Sequence, residues 1–226
     1  MTWLVKGASV MSNARSAILE RLRKAPKKPV PDLAPWSPYK TTTEQPLDRF
    51  RRLMGAVKGE IIDTKRADLA ETLRKVLADK QAKNLLYAPN TEIGRTIDAA
   101  WATEPGPQLV AYDKPMEELK SLMINDIDAG ITSTMGAIAD TGSLIVWPSA
   151  EEPRLMSLVP PIHIAVLEAS KMYDSFSEAV GKLGWNKKPP GNTLLISGPS
   201  KTADIEGILC FGVHGPKQLV IILITD

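Results

Sequence analysis

The chain has 226 residues, a formal net charge of +2 and an apolar fraction of 43%, values that fit one globular body plus an arm and make no electrostatic case for nucleic acid. Aromatic residues make up only 5%, too few for platforms on which bases stack. Cys210 is the only cysteine, and His163 and His214 are the only histidines. That excludes an intrachain disulfide and an iron–sulfur cluster held by four thiolates of this chain alone; it leaves little for a zinc site, with carboxylate-bound Mg²⁺ still open.

The first ten residues hold an apolar run too short for a signal-peptide core. Met11 opens a stretch that reads as a natural start, so residues 1–10 are expected to be an upstream extension. From Ser12 to Ala25, Ala14, Ile18 and Leu22 recur at helical spacing behind a Ser12 or Asn13 cap. The other face carries Arg15, Arg21, Arg23 and Lys24, either as a solvated surface or as a dock for an acidic partner. Pro26, Pro29, Pro31, Pro35, Pro38 and Pro46 then predict an extended connector. Trp36 and Tyr39 would pin it to the body or to a second subunit, which makes a homodimer plausible. The arm is placed at residues 1–45 and the body at 46–226.

Within the body, Leu47, Phe50, Leu53, Met54 and Val57 predict a helix ended by Gly59. Strands follow at Glu60–Asp63, Asn84–Ala88 and Gln108–Tyr112. They alternate with helices at Arg66–Lys80, from a Thr91 cap through Ala100, and at Pro115–Leu122. This alternation predicts an α/β fold with a mostly parallel sheet flanked by helices. Beyond Gly130, strands are expected at Ile131–Thr134, Ser143–Trp147 and Pro161–Leu167. A helical turn is expected at Met135–Asp140, a short helix at Glu152–Leu158 and a longer one at Tyr173–Leu183. Thr193–Ile196 and Leu219–Ile224 are expected to form a core strand pair. The second of these has no polar break, as suits a strand covered on both faces. No run approaches membrane-spanning length, and a reducing cytoplasm is the expected compartment.

Three loops carry the polar chemistry. Asp140, Thr141, Gly142 and Ser143 can form an anion-binding nest, or a tight turn in which Asp140 bonds its own backbone. Gly198, Pro199, Ser200, Lys201 and Thr202 lead into Asp204 and Glu206, and this order reads as loop then helix start. Such a start beside Lys201 would welcome phosphate or carboxylate, while capping alone also explains Ser200 and Thr202. The spacing is not that of a Walker A loop, and no dinucleotide-binding glycine motif is present. Asp204 and Glu206 are two apart and do not share a helix face, so they make no acid–base pair; one of them could bond a loop across the site. His214 has Gly212 and Gly215 on its flanks, which permits close approach of a ligand. It can carry a proton or bind an anion, or it can lock its loop to Asp204 or another carboxylate. His163, between Ile162 and Ile164, reads as a satisfied core histidine, and Cys210 as a small buried hydrophobe. The loops 140–143, 198–202 and 212–217 are expected to converge on one pocket at the carboxyl ends of the strands.

Three blocks carry a family resemblance. They are Gly130–Trp147 (GITSTMGAIADTGSLIVW), Arg154–Ile164 (RLMSLVPPIHI), and SGPSKTADIEGIL from Ser197 with GVHGPKQLVIIL from Gly212. In this order the sequence resembles the LUD-domain family, and within it the lactate utilization protein C branch. The resemblance implies a fold like that of the NagB/RpiA/CoA-transferase group. It also implies a component of an L-lactate utilization system that supports oxidation of L-lactate to pyruvate with iron–sulfur partner proteins. No cofactor of this chain itself is implied, and neither is its molecular step. An accessory or ligand-binding subunit is one reading. The other is a stand-alone enzyme on a small anionic or phosphorylated metabolite, with Thr141, Ser200 and Lys201 holding the anion and His214 moving a proton.

Overall fold

The computed structural model describes residues 7–26, 43–203 and 209–226. The chain divides into two units, residues 1–39 and 40–226. In the first, helix α1 spans Gly7–Lys24. It begins ahead of the expected Ser12 cap and takes in residues expected to precede the fold. Nothing between Gly7 and Met11 breaks a helix, and Ala8 and Met11 favour one. Ile18 and Leu22 are exposed on it, and Lys24 pairs with Glu20 at 2.6 Å. Trp36 and Tyr39 lie outside the described residues.

The second unit starts with α2 (Pro46–Ala56), β1 (Glu60–Thr64), α3 (Leu69–Asp79), β2 (Asn84–Tyr87) and α4 (Glu92–Thr103). It continues through β3 (Gln108–Ala111), α5 (Met116–Asn125), β4 (Ala129–Ser133), β5 (Gly136–Ile138) and β6 (Ser143–Val146). Then come β7 (Ile162–Glu168), β8 (Met172–Tyr173), α6 (Phe176–Lys182) and β9 (Leu194–Ile196). The last strands are β10 (Lys201–Ala203), β11 (Leu209–Phe211) and β12 (Gln218–Ile224). The main sheet has six strands in the order β1-β12-β7-β4-β2-β3, and every pairing in it is parallel. Helices lie on its faces, as βαβ connections require.

β12 shows why its apolar run has no polar break. Val220, Ile222 and Ile224 pack on one face with Leu73, Leu77 and Ile97 of α3 and α4. Leu219, Ile221 and Leu223 pack on the other with Phe50 and Met54 of α2 and with Ala137 and Leu144 of β5 and β6. Each such side chain stabilises the fold by about 1.5–3 kcal/mol through area removed from water.

Three expectations need correction. First, β9 does not pair with β12. It pairs antiparallel with β6 in a second, four-stranded sheet of order β8-β5-β6-β9. Leu195 at its centre is exposed, so β9 has one wet face, unlike β12. Second, the expected helical turn at Met135–Asp140 holds strand β5, antiparallel to β6 and parallel to β8. All three of its residues are buried, and tertiary packing here overrides local preference. Third, Lys201–Ala203, expected as the approach to a helix, forms strand β10 of a two-stranded antiparallel ribbon with β11; the rest of the expected helix start lies outside the described residues. Cys210 on β11 is exposed, not buried.

α4 begins as its sequence predicts. Thr91 Oγ1 accepts a hydrogen bond from the Gly94 amide at 3.0 Å. Thr91→Ala is expected to lower stability by about 1 kcal/mol, read from the urea unfolding midpoint. Among the described residues, no helix is long and apolar enough to cross a membrane.

Candidate functional site

β7 and β12 lie side by side, with His163 opposite Leu219 in register. The loops that feed these two strands therefore meet at the amino edge of the sheet. The turn Arg154–Ser157 precedes β7, and the segment from Gly212 to Lys217 precedes β12. The loop after β9 reaches the same place. The Ser200 amide donates to the Pro216 carbonyl, and the Gly212 amide donates to the Ser200 carbonyl, both at 2.9 Å. Gly215 lies against Ser200, where an added Cβ would sit 3.2 Å from the serine Cβ. Together these segments border an open cavity of about 270 Å³, lined by Gly198, Pro199, Ser200, His214, Gly215 and His163 among others.

Both histidines of the chain thus line one cavity. His214 is exposed at it. His163 is only 1% exposed, a core residue as its apolar neighbours suggest, but with one of its two ring nitrogens unsatisfied. Its Nε2 lies 2.8 Å from Thr132 Oγ1, and its buried Nδ1 has no hydrogen-bond partner among the described residues. Burial pulls its pKa down to about 4, so the ring is neutral at physiological pH. If Thr132 donates to Nε2, one buried donor, Nδ1–H, is unmet. In the opposite tautomer Nε2–H donates to Thr132 and Nδ1 is bare, so Nδ1 is unmet in either arrangement.

The other sequence candidates fall elsewhere. Lys201 and Thr202 belong to β10, and neither lines the cavity. Asp204 and Glu206 lie outside the described residues. Asp140 pairs with the buried Arg49 at 3.3 Å, and Arg49 also holds Asp174 at 2.8 Å. Asp140 therefore fastens the second sheet to α2. Gly142, at φ +61, sits where a Cβ would come 2.7 Å from Leu53 Cβ. Thr141 is exposed and Ser143 buried. Ser143 Oγ donates to Thr141 Oγ1 at 2.8 Å and lies 2.6 Å from Ser197 Oγ. Since Ser143 uses its one proton on Thr141, Ser197 is the donor between the two serines. Two of the three loops meet in the cavity, and residues 140–143 reach it only through this row of hydroxyls.

The cavity also lies at the opposite edge from the one expected, because Gly212–Lys217 enters β12 rather than leaving it. A second cavity of about 300 Å³ occupies the carboxyl edge, where Thr91, Ser133 and Glu168 line it beside Arg66. Its charges are already paired. Arg66 meets Glu92 at 3.1 Å and Glu168 at 3.3 Å, and Lys171 meets Glu168 at 3.0 Å. Nearby Glu152 is buried, and its two carboxylate oxygens accept from the Ser133 amide at 3.1 Å and from the Ser133 hydroxyl. Burial pushes its pKa up. The carboxyl edge satisfies itself, whereas the amino edge keeps an unmet imidazole nitrogen.

A parallel sheet flanked by helices, with a smaller second sheet laid on one face, defines the class: an α/β protein. The chain belongs to the LUD domain family, whose model matches residues 47–224. It is 36% identical to an uncharacterized protein of Neisseria meningitidis over 94% of each chain. Lactate utilization protein C of Bacillus subtilis is 25% identical over 95% of this chain and 94% of its own length. Lactate utilization protein C of Exiguobacterium is 26% identical over 81% of this chain and 79% of its own. A crystal structure of a DUF162 family protein from Deinococcus radiodurans shares the fold, with a TM-score of 0.57 at 20% identity, over 79% of this chain and 96% of that one.

Proposed function

We propose that this chain serves lactate utilization as an accessory, ligand-binding component that works beside iron–sulfur partner proteins. The observation that carries this reading is the alignment with lactate utilization protein C of Bacillus subtilis over 95% of the chain. The chain's own residues agree with a division of labour. With Cys210 as its only cysteine, any four-thiolate cluster in the system belongs to other chains. The amino-edge cavity supplies the ligand-binding part. No carboxylate is among its described lining residues, and its polar groups are serine hydroxyls and imidazoles. The exposed Lys201 and Lys217 follow directly on Ser200 and Pro216. This setting favours a small anion.

Deleting the gene in its own host is expected to abolish growth on L-lactate as sole carbon source and to leave growth on glucose intact. The wild-type gene restores growth, and His214→Ala restores it poorly. Unimpaired growth of the deletion strain on L-lactate would end the proposal. Full rescue by His214→Ala would remove the cavity from it.

A further inference from the structure

We infer that His163 is a ligand-contacting residue, whose Nδ1–H donates a hydrogen bond to a carboxylate or carbonyl oxygen of a small metabolite held in the amino-edge cavity. The inference rests on the reading of that cavity as the ligand site and names the residue that recognises the ligand.

Three observations converge on it. The ring lines the cavity yet is buried, so it is fixed before anything binds. Its Nε2 is taken by Thr132; with Thr132 as the donor of that bond, the ring's own proton sits on Nδ1, which is the tautomer the inference takes. That nitrogen has no partner among the described residues, and a buried donor left unmet in a native fold calls for a partner from outside the chain. A neutral donor in a wall free of carboxylates selects an acceptor oxygen. Ser200 lines the same cavity, and its hydroxyl can donate to the other oxygen of a carboxylate; the Ser157 hydroxyl already donates to the Arg154 carbonyl at 3.0 Å.

The position also separates this residue from His214. His214 is exposed on a loop and can adapt to a ligand. His163 sits on the second residue of a central strand and cannot move without the sheet. It therefore fixes where an oxygen lies, which is how a rigid donor imposes orientation.

The test is nitrogen-15 NMR of the full chain labelled at histidine, with pyruvate and L-lactate as probes. Two imidazoles give two sets of signals, assigned by His214→Gln. Without probe, His163 is expected to show a protonated Nδ1, and titration with the bound oxyacid should shift that resonance. Calorimetry should show at least a tenfold weaker affinity for His163→Phe. His163→Asn, whose amide nitrogen overlays Nδ1, should recover most of the loss. A bare Nδ1 in the wild-type chain overturns the inference, and this reading needs no variant to fold. Equal affinity of wild type and His163→Phe, with His214 still responding to the probe, also overturns it but leaves the cavity as the site. If neither histidine responds to either oxyacid, the cavity reading fails and the inference fails with it.

Discussion

Lowering the pH from 7 to 4 is expected to remove about 3 kcal/mol of stability from the wild-type chain through His163 alone, and His163→Phe is expected to abolish that loss. The sign follows from where the proton goes. The folded chain holds His163 neutral down to a pKa of about 4, against an ordinary value of 6.5. Between those two values the unfolded chain takes up a proton that the folded chain refuses. Stability is therefore whole above pH 6.5, falls as pH drops toward 4, and levels off below. The cause is burial. The residues in register with His163 are Gly130 and Leu219, neither charged, and His214 is the other titratable group lining the cavity. Glu152 acts in the opposite direction, since burial raises its pKa and acid then favours the folded form. It is present in both proteins and cancels in their difference. Phenylalanine leaves the Thr132 hydroxyl alone and costs about 1 kcal/mol at neutral pH. The quantity to compare is the slope with pH, from urea unfolding at half-unit steps. Parallel curves for the two proteins would show that His163 is not held neutral by burial.

Gly136→Ala is expected to destabilise the chain by about 4 kcal/mol. Gly136 has φ +133, and a Cβ there would lie 2.3 Å from the Lys171 carbonyl oxygen and 2.7 Å from Tyr173 Cε2. The first neighbour is backbone on the strand side of a tight turn and cannot rotate away. β5 stands between β6 and β8 in the smaller sheet, and β6 begins with Ser143, the serine bonded to Ser197. Displacing β5 should also weaken oxyacid binding in any fraction that remains folded. Gly181→Ala is the matched control. Nothing lies within 4 Å of a Cβ at Gly181, in α6, so alanine there should be neutral or stabilising by up to about 1 kcal/mol. Similar losses at both positions would refute the close-approach argument for Gly136.

Much of the main sheet was legible because its signals are local. The unbroken run Leu219–Ile224 announces a strand covered on both faces. Thr91 announces its helix through one hydroxyl and a nearby amide. The smaller sheet was harder. Gly136, Ala137 and Ile138 carry no strand period of their own and become a strand because β6 and β8 bracket them. Cys210 sits in an apolar string that reads as core, yet its ribbon pairs on only two strands and leaves it exposed.

The candidate site divides in the same way. Ser200, His214 and Gly215 stood out because small and polar residues crowd their loops. The edge of the sheet they occupy did not, because strand direction in space depends on partners far away in the chain. Asp140 looked like part of a ligand loop. Its partner is Arg49, on a helix that precedes every strand of the body. His163 was hidden most thoroughly. An apolar strand pattern gives the same letters whether a histidine nitrogen is satisfied or left for a ligand, and only the inventory of its partners separates the two.

The order of the main sheet bears on how the protein is made. β1 and β7 both pair with β12 and not with each other, and β12 follows them all in the chain. While the ribosome is still translating residues before Gln218, the nascent sheet has a one-strand gap at its interior, bordered by two edges with unpaired amides and carbonyls. Pairing Glu60 with Val220 also closes a very long loop, which makes the last step slow. Completion of the core and of the pocket wall at Leu219 is thus a single late event, and a chain stalled before it would expose aggregation-prone edges to chaperones and proteases.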